Sequence, residues 1–209
     1  LVGAEIIWSE DDDPQDRLDQ AFQEAWEAGA RPYLIPYGGS SPLGVVGYVE
    51  AMRELAQQDL SFDRMILASS SGGTQAGLLV GAQSVNYQGQ ISGISVDLTS
   101  QPLQERIAAL ATQTAELLDL DHKFTPQDVS IDDGYLGQGY GVMGSVEKEA
   151  ILASAEHEGL LLDPVYTGRA MAGLIGQVRK GEIKPDERIL FWHTGGTPAL
   201  FAYRSELLS

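Results

Sequence analysis

The 209-residue sequence contains no cysteine. That excludes disulfides, thiolate catalysis and metal sites built on sulfur ligands. Positive charge is scarce too: 13 Lys and Arg stand against 30 Asp and Glu, a net charge of −17. So negative a surface repels nucleic-acid phosphates and anionic lipid, and neither is an expected partner. The acidity itself reads as solubility, suited to a salty environment. An anionic ligand then needs a local cradle of backbone N–H groups or aligned dipoles. No apolar run approaches the length of a membrane span, and the opening residues show no signal-peptide pattern. A cytoplasmic protein is expected. The histidines, His122, His157 and His193, lack metal-ligand spacing. Neither H-E-x-x-H nor the G-x-S-x-G elbow of serine hydrolases occurs.

What is present is a foldable chain, with 43% hydrophobic and 21% charged residues. Apolar runs at residues 4–8, 32–36, 65–68, 91–96 and 189–192 predict strands. Between them, helices are expected from Pro14 to Gly29, from Pro42 to about Gln57, after Thr74, over 103–118, over 146–157 and over 168–179. Pro14 suits the first turn of its helix, and Asp11, Asp12 and Asp13 suit its positive end. Strands that alternate with helices, and that are short continuous apolar runs, predict an α/β fold. Its sheet would be mainly parallel and twisted, with helices on both faces. Residues 123–143 form the least regular stretch. Ligands of open α/β sheets bind at the carboxyl ends of strands, where several glycine-containing turns fall.

Three constellations carry chemistry. The strand Met65-Ile66-Leu67-Ala68 delivers the chain to Ser71-Gly72-Gly73-Thr74, and a helix begins at once. Free N–H groups at that helix start, its dipole and the two hydroxyls make an anion site. No lysine follows, so this is not the nucleoside-triphosphate loop; a capped turn without ligand is the plain alternative. The second is Trp192-His193-Thr194-Gly195-Gly196-Thr197, again a strand followed by Gly-Gly-Thr, with His193 read as a hydrogen-bonded strand-end residue. The third, Asp163-Pro164-Val165-Tyr166-Thr167-Gly168, stops one segment and starts a helix, and from its residues alone Tyr166 reads as packing. Gly139-Tyr140-Gly141-Val142-Met143-Gly144 matches G-x-G-x-x-G. It lacks the apolar strand that a dinucleotide site requires before the first glycine.

As an ordered set these segments are far more specific. Pro36-Tyr37-Gly38-Gly39-Ser40-Ser41-Pro42-Leu43-Gly44, Ser71-Gly72-Gly73-Thr74, Gly139-Tyr140-Gly141, Asp163-Pro164-Val165-Tyr166-Thr167-Gly168 and His193-Thr194-Gly195-Gly196 resemble the D-cysteine desulfhydrase/1-aminocyclopropane-1-carboxylate deaminase family. The resemblance covers essentially the whole chain. It implies a pyridoxal-phosphate enzyme of the tryptophan-synthase-β-like fold, a homodimer acting on a small amino acid. Ser71, Gly72, Gly73, Thr74, Gln75, Ala76 and Gly77 are then expected at the cofactor phosphate. Tyr140 and Tyr166 face the substrate, and Thr194, Gly195 and Thr167 lie near the cofactor, with both threonines by its ring nitrogen. The family's deaminases carry Glu at the position of Thr167. Threonine implies a weaker electron sink, which favours carbon–sulfur elimination from D-cysteine over cyclopropane ring opening, with L-cysteate a further candidate substrate. The family's cofactor lysine lies in a Gly-Asn-Lys segment that this sequence does not contain, and Lys123, Lys148, Lys180 and Lys184 do not fit that role. The expectation is therefore an N-terminally truncated enzyme, inactive alone. Residues 1–36 would be the end of a small domain, and 37–209 the large phosphate-binding domain. Two other readings stay open: a complete, non-catalytic module for a phosphorylated ligand, and an oxidoreductase that uses residues 139–144.

Overall fold

The computed structural model describes residues 3–9, 13–58 and 60–208. The chain divides into two compact units, Leu1–Pro36 and Tyr37–Ser209. In the first, α1 (Pro14–Glu27) starts where sequence chemistry puts it. Asp13 caps it by accepting from the Gln15 and Asp16 N–H groups, and Pro14 needs no donor in the first turn. Asp11 and Asp12 lie outside the described residues. The strands expected at 4–8 and 32–36 do not form. A strand needs a neighbour to satisfy its backbone groups, and this unit supplies none among its described residues.

The second unit opens with α2 (Pro42–Ala56), capped by Ser41. There follow β1 (Arg64–Ser69), α3 (Gly73–Val85), β2 (Gln90–Ser95), α4 (Ser100–Leu117), β3 (Ser130–Asp132), α5 (Ser145–Glu158), α6 (Thr167–Arg179), β4 (Ile189–Phe191) and α7 (Arg204–Leu207). The strands form one sheet in the order β3-β2-β1-β4, and every pair is parallel. β1 is central and buried along nearly all its length, which explains its unbroken apolar run. The edge strand β3 lies within the stretch read as irregular, because three residues with two polar ones carry too little pattern to recognise. One layer of core joins Val45, Val49, Ala76, Val80 and the buried face of α4. Opposite it, Ile66, Ala68, Ile94 and Val96 pack on Ala170 of α6. Helices therefore cover both faces of the sheet.

The α2–α3 contact depends on missing side chains. A Cβ at Gly77 would lie 2.5 Å from the Tyr48 Cβ, and one at Gly81 would lie 2.5 Å from the Met52 Cβ. Glycines four apart on one face of α3 let the two helices close together.

A smaller device sits at the turn before β3. The Asp128 carboxylate accepts from the Thr125 N–H at 2.7 Å and the Thr125 hydroxyl at 2.8 Å. Those bonds, the backbone one foremost, hold its pKa below the ordinary value. A lowered carboxyl pKa stabilises the fold above the unfolded-state value and stops doing so as pH falls through the folded one. Asp128→Asn is expected to lower stability slightly at neutral pH, by less than about 1 kcal/mol for so exposed a group. The deficit should shrink as pH falls below the ordinary carboxyl range and through the lowered folded value, and paired melting curves across that fall check it.

Candidate active site

The strand order reverses between β1 and β4, and a crevice opens there at the carboxyl ends of the strands. A cavity of about 260 Å³ occupies the spot, lined by Ala68 at the end of β1, Ser70, Ser71 and Thr74 beyond it, Thr194, Gly195 and Gly196 beyond β4, and Tyr166. A second, polar cavity of about 90 Å³ lies on the other side of the Ser71–Thr74 turn, against Gly38, Gly39 and Ser40. The turn thus stands between two hollows and shares Ser71 and Thr74 with both.

Its geometry suits an anion. Gly72 precedes α3 in the left-handed region (φ 89°), and no side chain caps the helix. The first in-helix bond runs from the Ala76 N–H to the Gly72 carbonyl at 2.9 Å, which leaves the donors before it without helical partners. A Cβ at Gly73 would come within 2.5 Å of the Ser40 Oγ. That hydroxyl donates to the Ser71 Oγ at 2.8 Å, so Ser71 keeps its own hydrogen for a ligand. Neither cavity is lined by Lys or Arg. In a protein of net charge −17, the N–H groups and the helix dipole must supply the attraction.

The opposite wall is built by Asp163, which is 1% exposed. Its Oδ2 accepts from the Val165 and Tyr166 N–H groups at 2.8 and 2.9 Å, and its Oδ1 from the Thr167 N–H and Oγ1, both at 2.8 Å. The Asp163 N–H in turn donates to the Thr167 Oγ1 at 2.9 Å. This closed set of bonds starts α6 and points Tyr166 into the cavity. The Tyr166 hydroxyl shares a hydrogen bond with that of Tyr140, and the rings meet edge to face at 5.9 Å. Burial first, then the bond to Tyr140, raises the Tyr166 pKa far above that of a free phenol. Its hydroxyl stays protonated at neutral pH.

A third tyrosine joins them. The Tyr37 hydroxyl lies 2.9 Å from the Ser70 Oγ and donates to the Asp97 Oδ2 at 3.1 Å, while Ser70 donates to that oxygen at 2.6 Å. Burial, and the Asp97 charge behind it, push the Tyr37 pKa up.

Of the residues marked in the sequence, Ser71, Thr74, Tyr166, Thr194 and Gly195 line one cavity, and Gly72 and Gly73 shape its turn. Tyr140 reaches it through Tyr166. The side chains of the others point elsewhere. Gln75 Nε2 donates to the Ser130 and Ile91 carbonyls, Ala76 packs in the core, and Gly77 faces α2. Thr167 is wholly buried and committed to Asp163. His193 holds the Gly195 N–H on its Nδ1 at 3.1 Å. Residues 139–144 follow no strand and form a loop instead of a dinucleotide turn. The sequence does not mark Ser70 or Asp97 as site residues, holds Tyr37 only within a motif, and does not mark the pair Arg169–Glu147, of which Arg169 alone stands amid small and apolar residues.

A parallel sheet with an uncapped helix start at its switch point and tyrosines across the crevice is an arrangement that α/β proteins use to bind phosphorylated ligands. Residues 1–195 match the family of pyridoxal-phosphate dependent enzymes, and the chain belongs to it. It is 41% identical over 197 residues to the D-cysteine desulfhydrase of Klebsiella pneumoniae, a match that spans 93% of this chain and 59% of that protein. It is also 41% identical over 190 residues to a 1-aminocyclopropane-1-carboxylate deaminase of Burkholderia multivorans, covering 88% of this chain and 56% of that one. The crystal structure of an ACC deaminase homologue superposes with a TM-score of 0.82 at 36% identity, over 95% of this chain and 61% of that one. The chain spans about three fifths of the length of these relatives.

Proposed function

We propose that residues 37–209 are the cofactor-phosphate domain of a carbon–sulfur lyase that acts on a cysteine-like amino acid, D-cysteine first. In the reaction D-cysteine and water give pyruvate, ammonia and hydrogen sulfide. The observation that carries this reading is the uncapped start of α3, set across one crevice from Tyr166 and Thr194. Bound pyridoxal phosphate supplies an electron sink for the charge left at the substrate α-carbon. The first-turn N–H groups of α3, with the Ser71 and Thr74 hydroxyls, hold its phosphate. Thr194, on the far wall, would offer a neutral hydroxyl to the ring nitrogen. Tyr166 and Tyr140 face the substrate and donate protons or hydrogen bonds to it.

The choice of lyase over deaminase rests on Thr167. It places no acid at the cavity, and its hydroxyl is given to Asp163. Without a carboxylate to hold a proton on the ring nitrogen, the sink is weaker. Expulsion of a sulfur leaving group asks less of the sink than opening a cyclopropane ring.

The cofactor lysine is none of the four in this chain. Lys148 Nζ donates to the Glu206 carbonyl, Lys180 lies over the Tyr135 ring, and Lys123 and Lys184 are exposed. The 209 residues alone therefore bind the phosphate end and turn over nothing. The same reading places the enzyme in the cytoplasm as a homodimer.

The test is a titration of the chain with pyridoxal phosphate, competed by inorganic phosphate. Gly73→Ala, which drives a methyl at the Ser40 hydroxyl, is expected to weaken both ligands about tenfold or more, the loss of one charge-assisted bond. Binding that ignores the substitution, or no binding at millimolar ligand, overturns the phosphate assignment. Pyruvate release from D-cysteine, with a borohydride-fixed adduct on one of the four lysines, overturns the claim about the lysine.

A further inference from the structure

Arg169 heads the large, fully buried side chains of the described residues, and no step of the proposed chemistry uses its charge. It sits in α6, three residues past Tyr166. Its Nε donates to Glu147 Oε1 at 2.9 Å, and one terminal nitrogen donates to the Val96 carbonyl at 2.9 Å. The other terminal nitrogen spans two carbonyls, Gly139 at 3.2 Å and Val142 at 2.9 Å. Glu147 Oε2 is occupied as well, by the Gly144 N–H at 2.9 Å. The guanidinium thus ties together the exit of β2, the start of α5 and the loop that carries Tyr140.

Within itself the loop makes two backbone bonds, from the Gly139 N–H to the Leu136 carbonyl and from the Val142 N–H to the Gly139 carbonyl. Tyr140 is 53% exposed, so its ring is not locked by packing. Its neighbours Gly139 and Gly141 have φ of 118° and 75°, in a region where glycine moves freely. Arg169 holds the carbonyls of 139 and 142, and the Tyr203 hydroxyl donates to the carbonyl of 141. The backbone on both sides of Tyr140 is therefore clamped, and the helix that carries the clamp has Tyr166 as its N-cap residue.

We propose that Arg169, seated by Glu147 and assisted by Tyr203, is the positioning residue that sets the Tyr140 hydroxyl on Tyr166. Both tyrosines are registered to one rigid frame, and a planar fork with several donors is what lets one side chain reach so many acceptors. The catalytic meaning of the clamp rests on the reading above that this tyrosine pair faces the substrate.

The test uses the whole chain labelled with [13Cζ]tyrosine, with the Tyr166 resonance assigned by Tyr166→Phe. Tyr140→Phe gives the shift of that resonance when the tyrosine–tyrosine bond is lost. Arg169→Lys keeps a cation beside Glu147 but cannot span the two loop carbonyls. It is expected to move the Tyr166 resonance in the same direction, by at least half as much. Tyr203→Phe, a milder change, is expected to move it the same way by less. A merely structural role would lower Tm and leave this resonance in place. An unmoved Tyr166 resonance in folded Arg169→Lys overturns the proposal, and if that variant does not fold, an unmoved one in Tyr203→Phe does so. Inorganic phosphate is titrated into the same wild-type sample. Shifts without phosphate binding defeat the proposed function and leave the clamp standing, and phosphate binding without shifts does the reverse.

Discussion

Asp163→Ala is expected to destabilise residues 37–209 by about 3–5 kcal/mol, read from the denaturant midpoint. Four donors lose their acceptor at once: three backbone N–H groups and the Thr167 hydroxyl. Each buried donor left unpaired costs ~1–3 kcal/mol, and because they share one side chain the losses add incompletely. Part is recovered by water at the partly buried Val165 and Tyr166 sites, while Thr167, wholly buried, recovers none. Asp163 also packs against Gly196, where a Cβ would lie 2.6 Å from its carboxyl carbon. Its loss therefore loosens both the start of α6 and the Thr194–Gly196 turn, two parts of the wall facing the Ser71–Thr74 turn. Asp163→Asn keeps the shape and one good acceptor, and should cost roughly half as much. A cost below about 1 kcal/mol for the alanine variant would mean that these bonds do not organise the wall.

The same residue shows what could be read from the sequence and what could not. Asp163-Pro164 was legible as a stop and Thr167-Gly168 as a helix start, since both are local chemistry. That Asp163 closes a ring of bonds with Thr167, taking Thr167 out of the cavity, depends on a backbone turn that spacing does not specify. The parallel sheet was legible because continuous apolar runs between helices leave few other solutions. Residues 32–36 misled because an apolar run states only that burial is wanted, not that a neighbouring strand exists to pair with. Ser71-Gly72-Gly73-Thr74 could be found because strand, turn and helix are contiguous there. Arg169 and Glu147 could not, since 22 positions separate them and neither belongs to a motif. Tyr140 lay on the boundary. Its motif was visible, but the sequence does not say that its loop is held by an arginine from another helix.

The buried pair supplies the other large effect. Glu147→Ala is expected to cost about 3–5 kcal/mol, because it strands the Arg169 cation where it is 0% exposed. Arg169 keeps three carbonyl acceptors, but none carries the formal charge that offset its desolvation. The double variant Glu147→Leu with Arg169→Met removes both charges and restores apolar volume, so it should be more stable than Glu147→Ala alone. It should not reach the wild type. The Val96 carbonyl, buried among apolar neighbours, loses its donor, while those of Gly139 and Val142 lie near enough to the surface to find water. The residual deficit combines that unpaired buried carbonyl, about 1–3 kcal/mol, with the Gly144 N–H that Glu147 no longer caps, so it bounds from above what the guanidinium contributes as a hydrogen-bond donor, apart from its charge. The two roles also separate in the tyrosine pair. A double variant that regains stability while its Tyr166 resonance stays displaced would show that the ion pair was kept to aim Tyr140, and not to hold the fold together.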